Sequence, residues 1–126
     1  MIKRHAGFVP GQHPIEAYGN GGFRFAGMSH RGSILILPSG MYALAAHGAS
    51  ELEPNALARL FAEHAAIDLV LVGTGSELVA LPEPTASLFR DKGLAVEPMP
   101  TGAAARTYNI VLAEQRRVAA ALIAVA

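Results

Sequence analysis

Three separated segments carry residue types suited to holding an anion. Gly73-Thr74-Gly75 follows directly on the apolar run Asp68 to Val72, which reads as a buried strand. Loops at the ends of such strands are where α/β sheets place ligands, and exposed amides there can cradle negative charge. Thr101 stands where a helix from Gly102 to about Glu114 would begin. A threonine N-cap with the amides behind it makes a second anion site, and Arg106 about one turn further adds a guanidinium. Arg24, on the polar face of an early hairpin, could reach the same cleft. Arg24, Gly73, Thr74, Gly75, Thr101 and Arg106 together define a candidate pocket for a small anion. Each also has a plainer reading: a tight turn needing positive φ, an ordinary helix cap, and arginines in ion pairs or solvent.

Other chemistry is poorly marked. A dinucleotide fingerprint would need glycine at position 78, where the chain has Leu78, and no Gly-Lys-Ser/Thr phosphate loop occurs. His5, His13, His30, His47 and His64 lack metal-ligand spacing, and His64 falls on the apolar stripe of its helix. Glu77, Glu83 and Glu97 form no marked carboxylate pair. With no cysteine in the chain, thiol catalysis and disulfides are excluded. No catalytic residue, metal or cofactor is called for. His30 and Arg31 read as part of a turn, Ser29 to Gly32, whose surface tip could contact a partner.

The elements that must position these groups alternate along the chain. Residues 1–14 read as an extended entry segment. Ile15 to Tyr18 and Phe23 to Gly27 read as strands joined by Asn20-Gly21-Gly22, a strong hairpin signal because asparagine and glycine tolerate positive φ. Alternation puts Phe23 and Phe25 on one face and Arg24 on the other. Ser33 to Leu37 and Met41 to Ala46 are further strands. Pro54 to Ala66 reads as a helix, with Leu57, Leu60, Phe61, His64 and Ala65 on one face. Strand 68–72, helix 84–92, strand 94–97 and the Thr101 helix follow, the last with Ala104, Tyr108, Val111 and Leu112 inward. From Gln115 onward the pattern fits either a continued helix or a strand at about Val118 to Val125. The expectation is an α/β domain spanning residues 1–126, with N-terminal antiparallel hairpins and strand–helix repeats forming a mostly parallel or mixed sheet.

Composition bounds the partners. The 126 residues are 52% apolar and 16% charged, with formal net charge zero. That balance gives no nucleic-acid footprint and little protection against self-association. No signal-peptide core follows the basic N-terminus and no run is long enough to span a membrane. The expectation is a soluble, cytoplasmic protein.

Gly21 to Phe25, Gly32 to Pro38, Leu71 to Gly75, Thr101 to Asn109 and Leu112 to Ile123, in that order and spacing, resemble one group. It is the small single-domain family that contains the mitochondrial complex I assembly factor three and the adipogenesis-associated domain protein. The resemblance covers about residues 15 to 124. It implies a three-layer α/β domain ending in a strand after the Thr101 helix, with a break near Gln115, where many relatives carry glycine. It also implies a binding role in respiratory complex I assembly for the mitochondrial relatives. The family has no agreed catalytic residues. A non-enzymatic interaction module with a protein partner is therefore the preferred reading. The alternatives are an anion-binding enzyme using the pocket above and a self-associating structural domain.

Overall fold

The alanine-rich run near the C-terminus is the keystone. In the computed structural model, which describes residues 8–126 and the strand Lys3–Arg4, Val118–Leu122 forms strand β10 at the heart of a sheet. Every residue of β10 is buried, and Ala119, Ala120 and Ala121 are wholly inaccessible. A strand covered on both faces needs no alternation, and small side chains let layers approach closely.

Among the described residues β10 is one of ten strands, which are accompanied by three α-helices. They are β1 (Lys3–Arg4), β2 (Phe8–Pro10), β3 (Ala17–Gly19), β4 (Gly22–Phe25), β5 (Met28–Arg31), β6 (Ser33–Leu37) and β7 (Gly40–Leu44), then α1 (Ala58–Ala62), β8 (Leu69–Gly73), α2 (Glu83–Asp91), β9 (Ala95–Met99), α3 (Thr101–Ala113) and β10. The large sheet has the order β2-β7-β6-β10-β8-β9, and a smaller one has β1-β5-β4-β3. β10 runs parallel to β8 and antiparallel to β6, so the large sheet is mixed. β8 and β9 are parallel, with Gly73 opposite Met99.

Strand alternation splits the interior into two cores. Leu35, Leu37, Val70, Val72, Ala119 and Ala121 face α1 and α2, where Leu57, Leu60, Phe61 and Phe89 complete the cluster. Ile34, Ile36, Leu69, Leu71, Val118, Ala120 and Leu122 face α3 and the small sheet, against Ala104, Tyr108, Phe23 and Phe25. The chain moves outward from β8 to β9 and then back past β8 to β10. Crossovers of one hand moving in opposite directions must lie on opposite faces, so α2 and α3 sandwich the sheet. The result is the three-layer α/β arrangement that the family resemblance implies, built on the mixed sheet expected from the order of the elements.

The Asn20–Gly21 hairpin forms as expected, with both residues at positive φ (53° and 79°) between the paired Gly19 and Gly22. The next turn does not fall at Ser29 to Gly32. It falls at Ala26–Gly27 (φ 52° and 71°), between the paired Phe25 and Met28. Alanine seldom takes this conformation, so residue type hid the turn. His30 and Arg31 therefore belong to β5. His30 is buried, with Nε2 2.9 Å from the Ser33 carbonyl oxygen, while Arg31 is exposed. An exposed partner-contacting tip at His30 loses its premise.

The helix read over Pro54 to Ala66 is also shorter. Residues 54–57 are turns, and α1 ends at Glu63 (φ −102°, ψ 13°). Glu63 accepts hydrogen bonds from the Ser39 amide and hydroxyl in the β6–β7 turn. His64 and Ala65 leave the apolar stripe; Ala65 is exposed and His64 half-buried.

α3 ends at Ala113, and Gln115 takes φ +60°, so the break expected near Gln115 is present. A left-handed residue after a helix favours glycine. Gln115→Gly is expected to stabilise the protein by about 0.5–1 kcal/mol, the relief of a side chain at positive φ less the extra freedom glycine gives the unfolded chain. Urea unfolding measures it; an unchanged midpoint would show that the turn is unstrained.

Side chains of α3 also stitch down the strap between β2 and β3. Asn109 accepts the Ile15 amide and donates to the Ile15 carbonyl, both at 2.8 Å, in the manner of a neighbouring strand. Tyr108 donates its hydroxyl to the His13 carbonyl at 3.0 Å. Burial pushes the Tyr108 phenol above its ordinary value of 10. The folded state therefore keeps a proton that the unfolded chain releases, and stability should fall as pH rises beyond about 10. Alkaline titration of the unfolding free energy should show that decline in the wild type and a shallower one in Tyr108→Phe.

Candidate functional site

The exits of the parallel strands meet on one rim, tied together by the loop residues themselves. Thr74 N–H donates to the Met99 carbonyl (2.9 Å), and Thr101 N–H donates to the Gly75 carbonyl (2.8 Å). The Thr101 hydroxyl accepts from Gly75 N–H (3.0 Å) and donates to the Ile123 carbonyl (2.7 Å). One fully buried threonine thus joins the ends of β8, β9 and β10. Gly73 lies directly beneath, where a Cβ would stand 2.9 Å from both Cα and Oγ1 of Thr101.

Thr101 is therefore not the N-cap expected from the sequence. It is the first residue of α3, Pro100 occupies the cap position, and no side chain caps the helix. Ala104 N–H reaches the Pro100 carbonyl at 3.0 Å, whereas the amides of Gly102 and Ala103 have no backbone acceptor among the described residues. Such orphan donors are what a helix start leaves behind.

Above this junction opens a cleft of about 970 Å³. Thr74, Gly75 and Arg106 line it, together with Glu77, Val79, Pro100, Ala103 and Ile123. Of the six residues marked in the sequence, those three reach the cleft wall. Gly73 and Thr101 form the structural floor under it. Arg24 does not contribute: alternation in β4 buries Phe23 and Phe25 and leaves Arg24 exposed on the opposite face of the small sheet. The amides of Thr74 and Gly75 are already paired with the β9–α3 turn, so the loop is a brace more than a cradle.

Sequence reasoning missed Tyr18, His47 and residues 124–126, which also line the cleft. Tyr18 arrives from the first hairpin and lays its hydroxyl over Gly102, leaving no room there for a side chain. Its visible signal was an aromatic residue on the outward face of a strand. The 124–126 tail is held by Ala124 N–H to the Ser33 hydroxyl (2.9 Å) and Gly21 N–H to the Val125 carbonyl (2.8 Å). Only the folded register brings these together.

The β8–α2 loop shapes the rim. The buried Thr74 hydroxyl donates to the Glu77 carbonyl (2.6 Å) and accepts Val79 N–H (3.1 Å). This folds the loop on itself and turns Leu78 and Val79 outward, 63% and 45% exposed. No group of three or more His, Asp or Glu side chains assembles a metal-binding arrangement among the described residues. No helix there is long and apolar enough to cross a membrane.

A three-layer α/β domain with an open cleft at the parallel strand ends is the class this geometry defines. The chain belongs to the family described as protein of unknown function (DUF498/DUF598), whose model matches residues 15–123. An uncharacterized protein of Rhodobacter capsulatus is 41% identical over 123 residues, spanning 98% of this chain and 93% of that one. The human NADH dehydrogenase [ubiquinone] 1 alpha subcomplex assembly factor 3 is 28% identical over 109 residues, 86% of this chain but 59% of its own length. Among solved structures, an outer membrane protein from Bartonella henselae superposes with TM-score 0.88 at 50% identity, covering 93% of this chain and 98% of that one. The Rpa2829 protein from Rhodopseudomonas palustris gives 0.82 at 40%, covering 97% and 90%.

Proposed function

We propose that this chain is a non-enzymatic protein-interaction module that docks a partner on the rim of the cleft. The observation that carries the reading is the β8–α2 loop. A buried threonine braces it so that two adjacent apolar side chains, Leu78 and Val79, stand in solvent beside a concave surface. Rigid apolar anchors next to a pocket lose little conformational freedom on binding, which is what interface hot spots require. The relationship to assembly factors of NADH dehydrogenase supports the same reading and extends it to a role in assembling a respiratory complex.

The test is in-cell crosslinking from a photoreactive residue at position 78, with Val79→Glu on the rim and Ala103→Glu on the cleft wall as interface variants. A defined crosslinked partner, lost in both variants while the fold is retained, is the expected result. Deleting the gene should also lower the amount of assembled NADH dehydrogenase in membranes. Crosslinks that are indiscriminate, or unchanged by both variants, would remove the docking rim. Unchanged complex levels would remove the assembly role alone.

A further inference from the structure

The rim carries both halves of a complementary contact. Leu78 and Val79 form an apolar projection, and the cleft beside them is walled in part by Pro100, Ala103 and Ile123. The same cleft holds one anionic and one cationic side chain, Glu77 and Arg106. Neither forms an ion pair with any described residue, and the ion pairs found lie elsewhere, at Arg90–Glu83 and Arg117–Asp68. A surface bearing projection, recess, negative charge and positive charge can be satisfied by its own copy. A two-fold rotation brings each projection to the other's recess and each carboxylate to the other's guanidinium, the requirement of an isologous interface.

We propose that two copies of this chain pair through this face, with Leu78 and Val79 of each seated in the cleft of the other and Glu77 of each opposite Arg106 of the other. Zero formal net charge leaves no overall repulsion to hold the copies apart. Desolvation under the apolar contact strengthens the two reciprocal charge pairs, which fix the register. The proposal rests on the docking reading only for its choice of face. Pairing would cover the rim until another partner displaces the second copy.

Sedimentation equilibrium over a concentration series tests it with the full chain. The wild type is expected to follow a monomer–dimer equilibrium. Leu78→Glu should abolish it. Glu77→Arg and Arg106→Glu should each weaken it by about tenfold or more, because each self-pairing sets like charges opposite. An equimolar mixture of those two variants should recover the dimer, since both charge pairs re-form in the mixed species. That recovery also shows both variants to be folded.

A wild type that is monomeric throughout overturns the proposal, as does a dimer indifferent to Leu78→Glu, or a mixture that associates no better than its components. A monomeric chain that still crosslinks a partner from position 78 would end the self-pairing and keep the docking rim. A dimer with the expected charge rescue but no such partner would do the reverse.

Discussion

Gly73→Ala is expected to lower the unfolding free energy by about 3 kcal/mol, because the added methyl overpacks a junction with no slack. An ordinary glycine-to-alanine change in a strand goes the other way, gaining about 0.5–1 kcal/mol from reduced backbone freedom. Here the new Cβ would lie 2.9 Å from Thr101 Cα and 3.1 Å from Leu122 Cδ2. The first is backbone of the opening turn of α3, the second a wholly buried core side chain. The backbone atom cannot rotate clear, so relief requires moving the helix off β8. Gly48→Ala is the control: nothing lies within 4 Å of its Cβ position, and its φ of −160° is ordinary extended backbone. Urea denaturation should shift the midpoint for Gly73→Ala with the slope unchanged and leave Gly48→Ala within about 0.5 kcal/mol. Equal effects at both glycines would mean that the strand–helix approach is not what demands glycine at position 73.

The comparison of these glycines shows what residue type alone conveys. Gly73 stood out in the sequence as part of a loop after an apolar run, and positive φ was the natural explanation. Positive φ is found at Gly75 (112°), while Gly73 is a strand residue whose constraint is the approach of another element. Local signals report local demands, and this demand is set by Thr101 and Leu122, 28 and 49 positions further along the chain. The same distinction separates the elements that were legible from those that were not. β6 and β8 are continuous runs rich in leucine, isoleucine and valine, and the Asn20–Gly21 turn has its own chemistry. β10 was ambiguous because alanine favours helix in isolation, whereas between two layers its small size is the asset. Ala26 adopts a left-handed turn that nothing in its side chain announces. Of the cleft, Thr74, Gly75 and Arg106 were legible from their positions near strand and helix ends. Tyr18 and the 124–126 tail were not, since they reach the rim through the small sheet and its packing.

Thr101→Val is the second large effect, and it separates a hydroxyl's role from a side chain's volume. Valine matches threonine in shape, so the packing of the fully buried position is preserved. Two bonds are lost: Gly75 N–H no longer has the hydroxyl to donate to, and the Ile123 carbonyl no longer receives its proton. Leaving polar groups unpaired costs about 1–3 kcal/mol each, which places the expected loss at about 3 kcal/mol. Thr101→Ser keeps both bonds and removes one methyl group, for about 1 kcal/mol. The ranking wild type, serine, valine in chemical denaturation therefore assigns the stabilisation to the bonds. Were volume decisive, valine would outrank serine. Native-state hydrogen exchange adds a local readout. In the valine variant the Gly75 amide loses its acceptor and the three strand ends lose their common tie, so exchange at Gly75 and at Ile123 should quicken beyond what the global change in stability explains. Exchange that rises only in proportion to global unfolding would mean that the remaining backbone bonds at Thr74 and Thr101 suffice to hold the cleft floor.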